Sequence, residues 1–364
     1  MSRYKSTAEH RHGLAERIGV LLVNSGTPDS PRPRDVRSFL AKLLGDPRVV
    51  ELHRALWLPI LHGIILRVRP FRSAKKYQSI WSARGSPLLA FSEDLRSALL
   101  QQLAKRVLAP IAIELGMMYA HPGVAAGLEA LRRQGCTKLL VLPMFPQYCG
   151  ASTGAAFDQV SAELRRWRWV PDLRFISEYH EHPGYIAALA ASVRDHWAEH
   201  GQTDQLLVSF HGIPEQYFRD GDPYFCKCQK TARLLTEELQ LRPEQWTLTF
   251  QSKYGPGRWL KPYSVDTLEA MPKRGVRAVT TVCPGFAVDC LETLEEMDIE
   301  NREHFMRAGG LTYQYVPALN ARQDHAKALV DLIAQHCEGW TAAGLEKILS
   351  NSQTASRGAA SDES

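Results

Sequence analysis

The sequence predicts an α/β fold with two parallel sheets, each covered by helices on both faces. Two observations carry this expectation. Short apolar, strand-like runs alternate with helix-like segments along almost all of the 364 residues, and a βαβα order of this kind produces parallel sheets wrapped by helices. The same alternation starts afresh after about residue 200, in a chain that is large for one core and comfortable for two.

The elements follow in order. Ile18–Asn24, a strand-like apolar run, is predicted as the first strand. A helix is predicted from Arg34 to Leu44, then a broken apolar region around Trp57. A helix at Glu93–Arg106, a strand at Ile111–Met117 and a helix at Val124–Gln134 come next. The strand Lys138–Met144 leads through a Pro-rich turn to a helix at Ala155–Trp167, and Leu173–Ser177 is the last strand of the first half. Tyr185–Glu199 is a helix bridging the halves. Strands at Gln205–Phe210, Thr247–Gln251, Ala278–Cys283 and Tyr313–Val316 then alternate with helices at Thr231–Gln240, Val265–Met271, Ala287–Arg307 and Gln323–Gln335.

Composition narrows the function. The apolar share is 45%, the charged share 23% and the net charge +5, values of an ordinary globular protein. No Lys/Arg run tracks phosphates, so nucleic acid is not an expected partner. No GxGxxG or Walker loop stands at a strand-to-helix turn, which leaves a nucleotide without a phosphate cradle. The amino-terminal segment, residues 1–17, is polar and has no apolar core of the signal-peptide kind. The seven cysteines are scattered and odd in number, consistent with reduced thiols and a cytoplasmic location. Cys226 and Cys228 are expected just ahead of a second-half helix, and Cys290 on the apolar face of a later one. Residues 350–364, SNSQTASRGAASDES, lack apolar periodicity and read as the disordered part of a tail at 339–364. The segment Trp57–Leu66, WLPILHGIIL, is too short and broken to span a membrane. With Arg67, Arg69 and Arg72 behind it, it fits an apolar lip that rests on a membrane or lines a hydrophobic cleft, or a hairpin of short helices packed in the core.

Two segments carry candidate chemistry. In CPGFAVDCLETLEEMDIENRE, the carboxylates of Asp289, Glu292, Glu296 and Glu300 fall three, four and four residues apart. On an α-helix they would share one face, which is either the solvated acidic face of an amphipathic helix, the reading the spacing alone favours, or a row suited to passing protons or holding a cation. Glu295 and Asp298 fall off that line and are expected in solvent. The other segment is SFHGIPEQYFRDGDPY, where a predicted strand runs into His211, followed by Gly212 and Pro214. A strand's carboxyl end followed by a forced turn is where open α/β sheets place their ligands; a histidine hydrogen-bonded to backbone in a βα loop is the other reading, and neither segment alone is specific.

Together with five further blocks in the same order, these segments resemble the ferrochelatase family. The blocks are LLVNSGTPDSP, GSPLLAFS, VLPMFPQYCGASTGAAF, TFQSKYGPGRWLKPY and YVPALNA, and the resemblance runs from about Ile18 to Ile333. It implies two Rossmann-like, chelatase-type domains, 18–182 and 183–338, with the active-site cleft between them. It also implies insertion of ferrous iron into protoporphyrin IX, the last step of haem synthesis, by an enzyme of the lyase class. By motif, His211 and Glu292 match the family's metal-site and catalytic pair. Asp289, Glu296 and Glu300 would continue from Glu292 as a proton or metal path, on a helix that in the family carries a π-type widening. Trp259 and Phe286 match positions facing the porphyrin. Tyr77, Ser86, Arg69 and Arg72 fall in the region resembling the porphyrin entrance, and Ser25 stands where relatives carry a larger porphyrin-facing residue. Met118 occupies a position often filled by Arg.

The implied partners are protoporphyrin IX and ferrous iron, with the metal a substrate and no cofactor permanently bound. The carboxyl-terminal region offers only Cys337, so the iron–sulfur cluster of some relatives is not expected. Peripheral membrane contact and a monomer or weak dimer complete the expectation. Competing readings are a coproporphyrin ferrochelatase, an inactive porphyrin carrier and a cobalt or nickel chelatase. The intact His211 and acidic row argue against a carrier, which needs neither.

Overall fold

The computed structural model describes residues 4–5, 17–104, 110–255 and 257–340. The predicted tail beyond Trp340, most of the polar amino-terminal segment and the end of the helix expected to reach Arg106 lie outside them.

Two four-stranded parallel sheets organise the chain. The first contains β1 (Arg17–Asn24), β2 (Ile111–Met117), β3 (Cys136–Pro143) and β4 (Asp172–Phe175). The second contains β5 (Gln205–His211), β6 (Trp246–Gln251), β7 (Ala278–Val282) and β8 (Thr312–Tyr315). Their spatial orders are β2-β1-β3-β4 and β6-β5-β7-β8, so the second half repeats the connectivity of the first. In each, the opening strand lies between the next two and the order reverses beside it, between β1 and β3 and between β5 and β7. A crevice opens at the carboxyl ends of the strands at such a reversal, the usual place for a ligand in an open α/β sheet. β1 is buried from Ile18 onward, which accounts for its unbroken apolar sequence.

Helices cover both sheets. In the first half these are α1 (Pro33–Gly45), α2 (Arg54–Ile60), α3 (Leu66–Ile80), α4 (Pro87–Leu103), α5 (Val124–Arg133) and α6 (Ala155–Leu164). In the second half they are α7 (Pro183–His200), α8 (Glu215–Arg219), α9 (Tyr224–Glu238), α10 (Ser264–Ala270), α11 (Arg302–Arg307) and α12 (Gln323–His336). Wide i→i+5 turns occur at Leu61–Ile65, Gly150–Gly154 and Glu292–Asn301. Buried polar ties join the halves. Gln147, beyond β3, donates to Thr231 Oγ1 of α9 at 3.0 Å and to the Pro284 carbonyl beyond β7 at 3.3 Å.

Four expectations are corrected here. The helix expected from Thr231 begins at Tyr224, where Asp222 Oδ1 accepts the Tyr224 N–H at 2.9 Å and satisfies a helix-end donor. Cys226 and Cys228 therefore lie within α9, the first exposed and the second buried. The acidic helix starts at Glu292 rather than Ala287 and is π-type for ten residues before α11. Cys290 precedes it and is buried in the core.

The apolar segment around Trp57 forms α2, a wide turn and the start of α3. Trp57, Leu61 and Leu66 face the core, whereas Leu56, Ile60, Ile64, Val68 and Phe71 are exposed. The result is an outward apolar ridge along a helical lip. No helix among the described residues is long and apolar enough to cross a membrane.

Candidate active site

The site gathers at the β5/β7 crevice. β5 ends on His211, and the next peptide lies flat against the end of β6, with the Gly212 N–H donating to Gln251 O at 2.8 Å. A Cβ on residue 212 would stand 2.8 Å from that carbonyl and 3.4 Å from the Trp259 ring, so only glycine allows this approach. His211 Nδ1 lies 2.6 Å from the Gly212 carbonyl. A carbonyl can only accept, so Nδ1 carries the hydrogen and, in the neutral ring, Nε2 keeps its lone pair. Burial lowers the His211 pKa, and the Glu292 carboxylate and the Gly212 bond oppose that shift.

Around His211 stand aromatics. The Tyr254 ring lies 6.5 Å from the imidazole and 6.1 Å, edge-on, from half-buried Trp259. From α3, the Arg69 guanidinium sits over the Tyr254 ring at 4.3 Å, a cation–π contact that spans the cleft. Phe286, also half-buried, packs against the main hydrophobic core and against a smaller one formed by Leu207, Leu268, Met297 and Phe305. Tyr254 and Ser252 escaped the sequence reading, although both lie in the quoted TFQSKYGPGRWLKPY block. Their signal was an aromatic and a hydroxyl just past a strand's carboxyl end.

Glu292 opens the widened helix. Its carbonyl accepts from Gln251 Nε2 at 2.7 Å, and Gln251 Oε1 in turn accepts from Ser209 Oγ at 2.8 Å and Cys283 Sγ at 3.6 Å. The ends of β5, β6 and β7 thus fix one peptide. Burial foremost, and then the Glu292 charge, raises the pKa of Tyr77 and of Cys290, which locates the carboxylate among them.

Next along the row, Glu296 Oε1 accepts the Ser252 N–H at 2.6 Å and Oε2 accepts from Ser252 Oγ. Ser252 holds a left-handed φ of 64°, rare for a residue with a side chain. Burial, reinforced by the charges of Glu292 and Glu300, pushes the Glu296 pKa up to about 7 against the pull of Ser252. Glu300 lies further out and pairs with Lys76 Nζ of α3 at 2.8 Å.

Two expected facings are corrected. Asp289 does not continue the row. It is 2% exposed, and its carboxylate accepts from Thr293 Oγ1, Tyr315 OH, the Ala318 N–H and Asn320 Nδ2 at 2.6–3.2 Å. Four donors leave it a structural anchor. Glu295 is not solvated. It is 9% exposed and pairs with Lys76 at 2.9 Å. Asp298 pairs with Arg302.

The remaining predicted residues are spread around the cleft. Tyr77 is buried edge-on to Trp81 at 6.3 Å, and Arg72 is exposed on α3. Ser86 is 5% exposed, with its Oγ 2.7 Å from Thr27 Oγ1, so its hydroxyl ties two loops together. Ser25 is half-buried, its N–H donating to Asn24 Oδ1 at 2.8 Å, and Met118 is buried. Among the described residues, no group of three or more His, Cys, Asp or Glu side chains could hold a metal ion. His211 and Glu292 are a pair rather than a closed ligand set.

Two repeated α/β domains with an imidazole and an acidic row at the sheet's crevice define a chelatase-type protein. A family model for ferrochelatase matches residues 17–337. The chain is 52% identical over 342 residues to a ferrochelatase of Nitrosococcus oceani, covering 94% of this chain and 93% of that one. It is also 52% identical over 331 residues to a ferrochelatase of Methylibium petroleiphilum, covering 91% of each. SirB from Bacillus subtilis, solved with Fe3+, superposes with a TM-score of 0.50 over 88% of this chain and 95% of SirB at 11% identity, a likeness of fold alone. The chain belongs to the ferrochelatase family, enzymes that insert iron into a porphyrin in haem biosynthesis.

Proposed function

We propose that this chain inserts Fe2+ into protoporphyrin IX to form protohaem, using His211 and Glu292 at the reacting centre and Glu296 and Glu300 as the path leading away from it. The observation that carries the reading is the geometry of His211: its Nδ1 hydrogen is committed to the Gly212 carbonyl, which leaves Nε2 as the basic nitrogen of a neutral ring.

Metallation removes two pyrrole N–H protons as the iron enters, so the balanced reaction yields haem and two protons. His211 Nε2 accepts a pyrrole proton. The Gly212 carbonyl and the Glu292 charge both favour the resulting imidazolium. Protons are best passed on at neutral pH by a group of matching pKa, and Glu296, whose carboxyl burial raises to about 7, is the next carboxylate along the row from Glu292. Glu292 and Glu300 supply carboxylate oxygens to ferrous iron, which accepts such ligands.

Trp259, Phe286 and Tyr254 form the apolar wall for the macrocycle, and Arg69 and Arg72 on the lip supply cations for its propionates. The exposed ridge Leu56, Ile60, Ile64, Val68 and Phe71, with Arg67 and Arg72 beside it, suits reversible contact with an anionic membrane surface. A cytoplasmic protein touching the membrane's inner face, monomeric or weakly dimeric and without an iron–sulfur cluster, is the state this reading expects.

An anaerobic assay with ferrous iron and either protoporphyrin IX or coproporphyrin III, followed by absorbance, tests the reading. Faster turnover of the two-propionate substrate supports it. Faster turnover of the four-propionate substrate, or binding of either porphyrin without turnover, overturns it.

A further inference from the structure

Lys76 stands outside everything assigned above, yet it touches the acidic row. Its Nζ lies 2.9 Å from Glu295 Oε2 and 2.8 Å from Glu300 Oε2. Two turns earlier on the same helix, Arg69 sits on the Tyr254 ring beside His211. α3 is thus fastened to the second half at both ends of the row, and α3 is also the helix that continues the exposed lip.

The two carboxylates that share this ammonium are unlike. The Glu295 side chain is 11% exposed and that of Glu300 43%. One is enclosed and depends on its cation, whereas the other faces solvent and can exchange one cation for another. The i→i+5 repeat of the widened helix brings these residues, five apart, to the same lysine.

Resting on the reading that Glu300 and Glu296 form the path to Glu292, we propose that Lys76 is a positioning residue that closes the outer end of this path and ties the lip to it. An entering divalent cation displaces the ammonium from Glu300, and Lys76 keeps its bond to Glu295, so the enclosed carboxylate is never left unpaired. Losing the Glu300 bond frees one of the two fastenings of α3. Iron entry and lip opening are therefore coupled, and such coupling is reciprocal by thermodynamic necessity. A lip held shut weakens iron entry, and iron at Glu300 loosens the lip.

The test measures KM for ferrous iron and for porphyrin in five proteins: wild type, Lys76→Met, Lys76→Arg, Glu300→Gln and the double variant Lys76→Met/Glu295→Gln. The double variant removes the buried carboxylate that Lys76→Met alone would leave unpaired. Loss of the competing ammonium should lower the iron KM about three- to fivefold, the range open to a half-exposed ion pair. It should raise the porphyrin KM by a similar factor, because the lip is less firmly held. Lys76→Arg should restore both constants. A purely structural lysine would move both in the same direction or change kcat alone.

An unchanged or raised iron KM in both Lys76→Met proteins, with Glu300→Gln raising it as expected, overturns the proposal and leaves the path intact. An iron KM that Glu300→Gln does not alter removes the path itself, and this proposal with it.

Discussion

Replacing Glu296 by Gln should make the protein more stable at alkaline pH while making it a poorer enzyme. Burial raises the Glu296 pKa from the usual 4.5 to about 7. Between those values the folded protein holds a proton that the unfolded chain has lost. Stability therefore falls as pH rises across the window, and the whole penalty is present above pH 7. Two and a half pH units at roughly 1.4 kcal/mol each give a cost of about 3 kcal/mol. A glutamine stays neutral and escapes it.

The substitution also has a cost. Gln Oε1 can still accept the Ser252 N–H, but Ser252 Oγ loses its carboxylate acceptor, which is worth about 1 kcal/mol. The net gain is about 2 kcal/mol above pH 7, shrinking and changing sign as the pH approaches 4.5. Thermal midpoints of both proteins across pH 5 to 8 measure this directly, a gain of that size being a rise of a few degrees. A gap that stays flat across the range, or a variant that melts below wild type at pH 8, would refute the argument. The same preparation should insert iron more slowly at neutral pH, because the group that titrates there is gone.

Four further outcomes are expected. His211→Ala should nearly abolish iron insertion while a fluorescence titration shows porphyrin binding largely intact; near-normal turnover would remove the residue from the mechanism. Glu292→Gln should reduce turnover far more than Glu295→Gln, and equal losses would mean that the facing of the widened helix is misassigned. Asp289→Asn should cost about 3 kcal/mol in denaturant unfolding, because an amide turns one acceptor into a donor against buried partners; unaltered stability would contradict its anchoring role. Anionic vesicles at low salt should co-sediment the protein, and Phe71→Asp with Ile64→Asp should abolish this, whereas persistence of binding would place the contact elsewhere.

The strands were legible because fully buried strands leave apolar runs, unbroken in β1 and interrupted in β5 only by Ser209. His211 was legible because a strand, a histidine and a glycine are local facts. The facing of the acidic helix was not, because facing depends on pitch. An α-helical pitch sends Glu295 away from Glu300, whereas an i→i+5 ladder brings them together; the family resemblance implied the widening, which the structure shows, but the segment's own spacing does not reveal which side chains it brings together. Asp289 was misplaced for a related reason: three of its four donors come from Tyr315, Ala318 and Asn320, far along the chain. Lys76 and Tyr254 acquire their roles through partners across the cleft, and Ser252 through Glu296 of the widened helix; no short window of sequence contains both members of those pairs.

Capture of the widened backbone explains how the acidic row can work without collapsing. A π-type stretch is rarely stable by itself, and here polar side chains hold three of its carbonyls. Gln251 donates to Glu292 O at 2.7 Å, Asn301 Nδ2 to Glu296 O at 2.8 Å and the Tyr313 hydroxyl to Met297 O at 2.6 Å. Two of these donors stand on β6 and β8, and Asn301 ends the widened stretch itself. None of the three bonds involves the carboxylates of Glu292, Glu296 or Glu300. The helix is therefore fixed through its backbone, while the groups that repel one another point elsewhere. A proton can join or leave Glu296, and a cation can replace the ammonium on Glu300, without withdrawing any bond that sets the pitch. A row built the other way, with its pitch maintained by the carboxylates' own ion pairs, would rearrange whenever its charge changed.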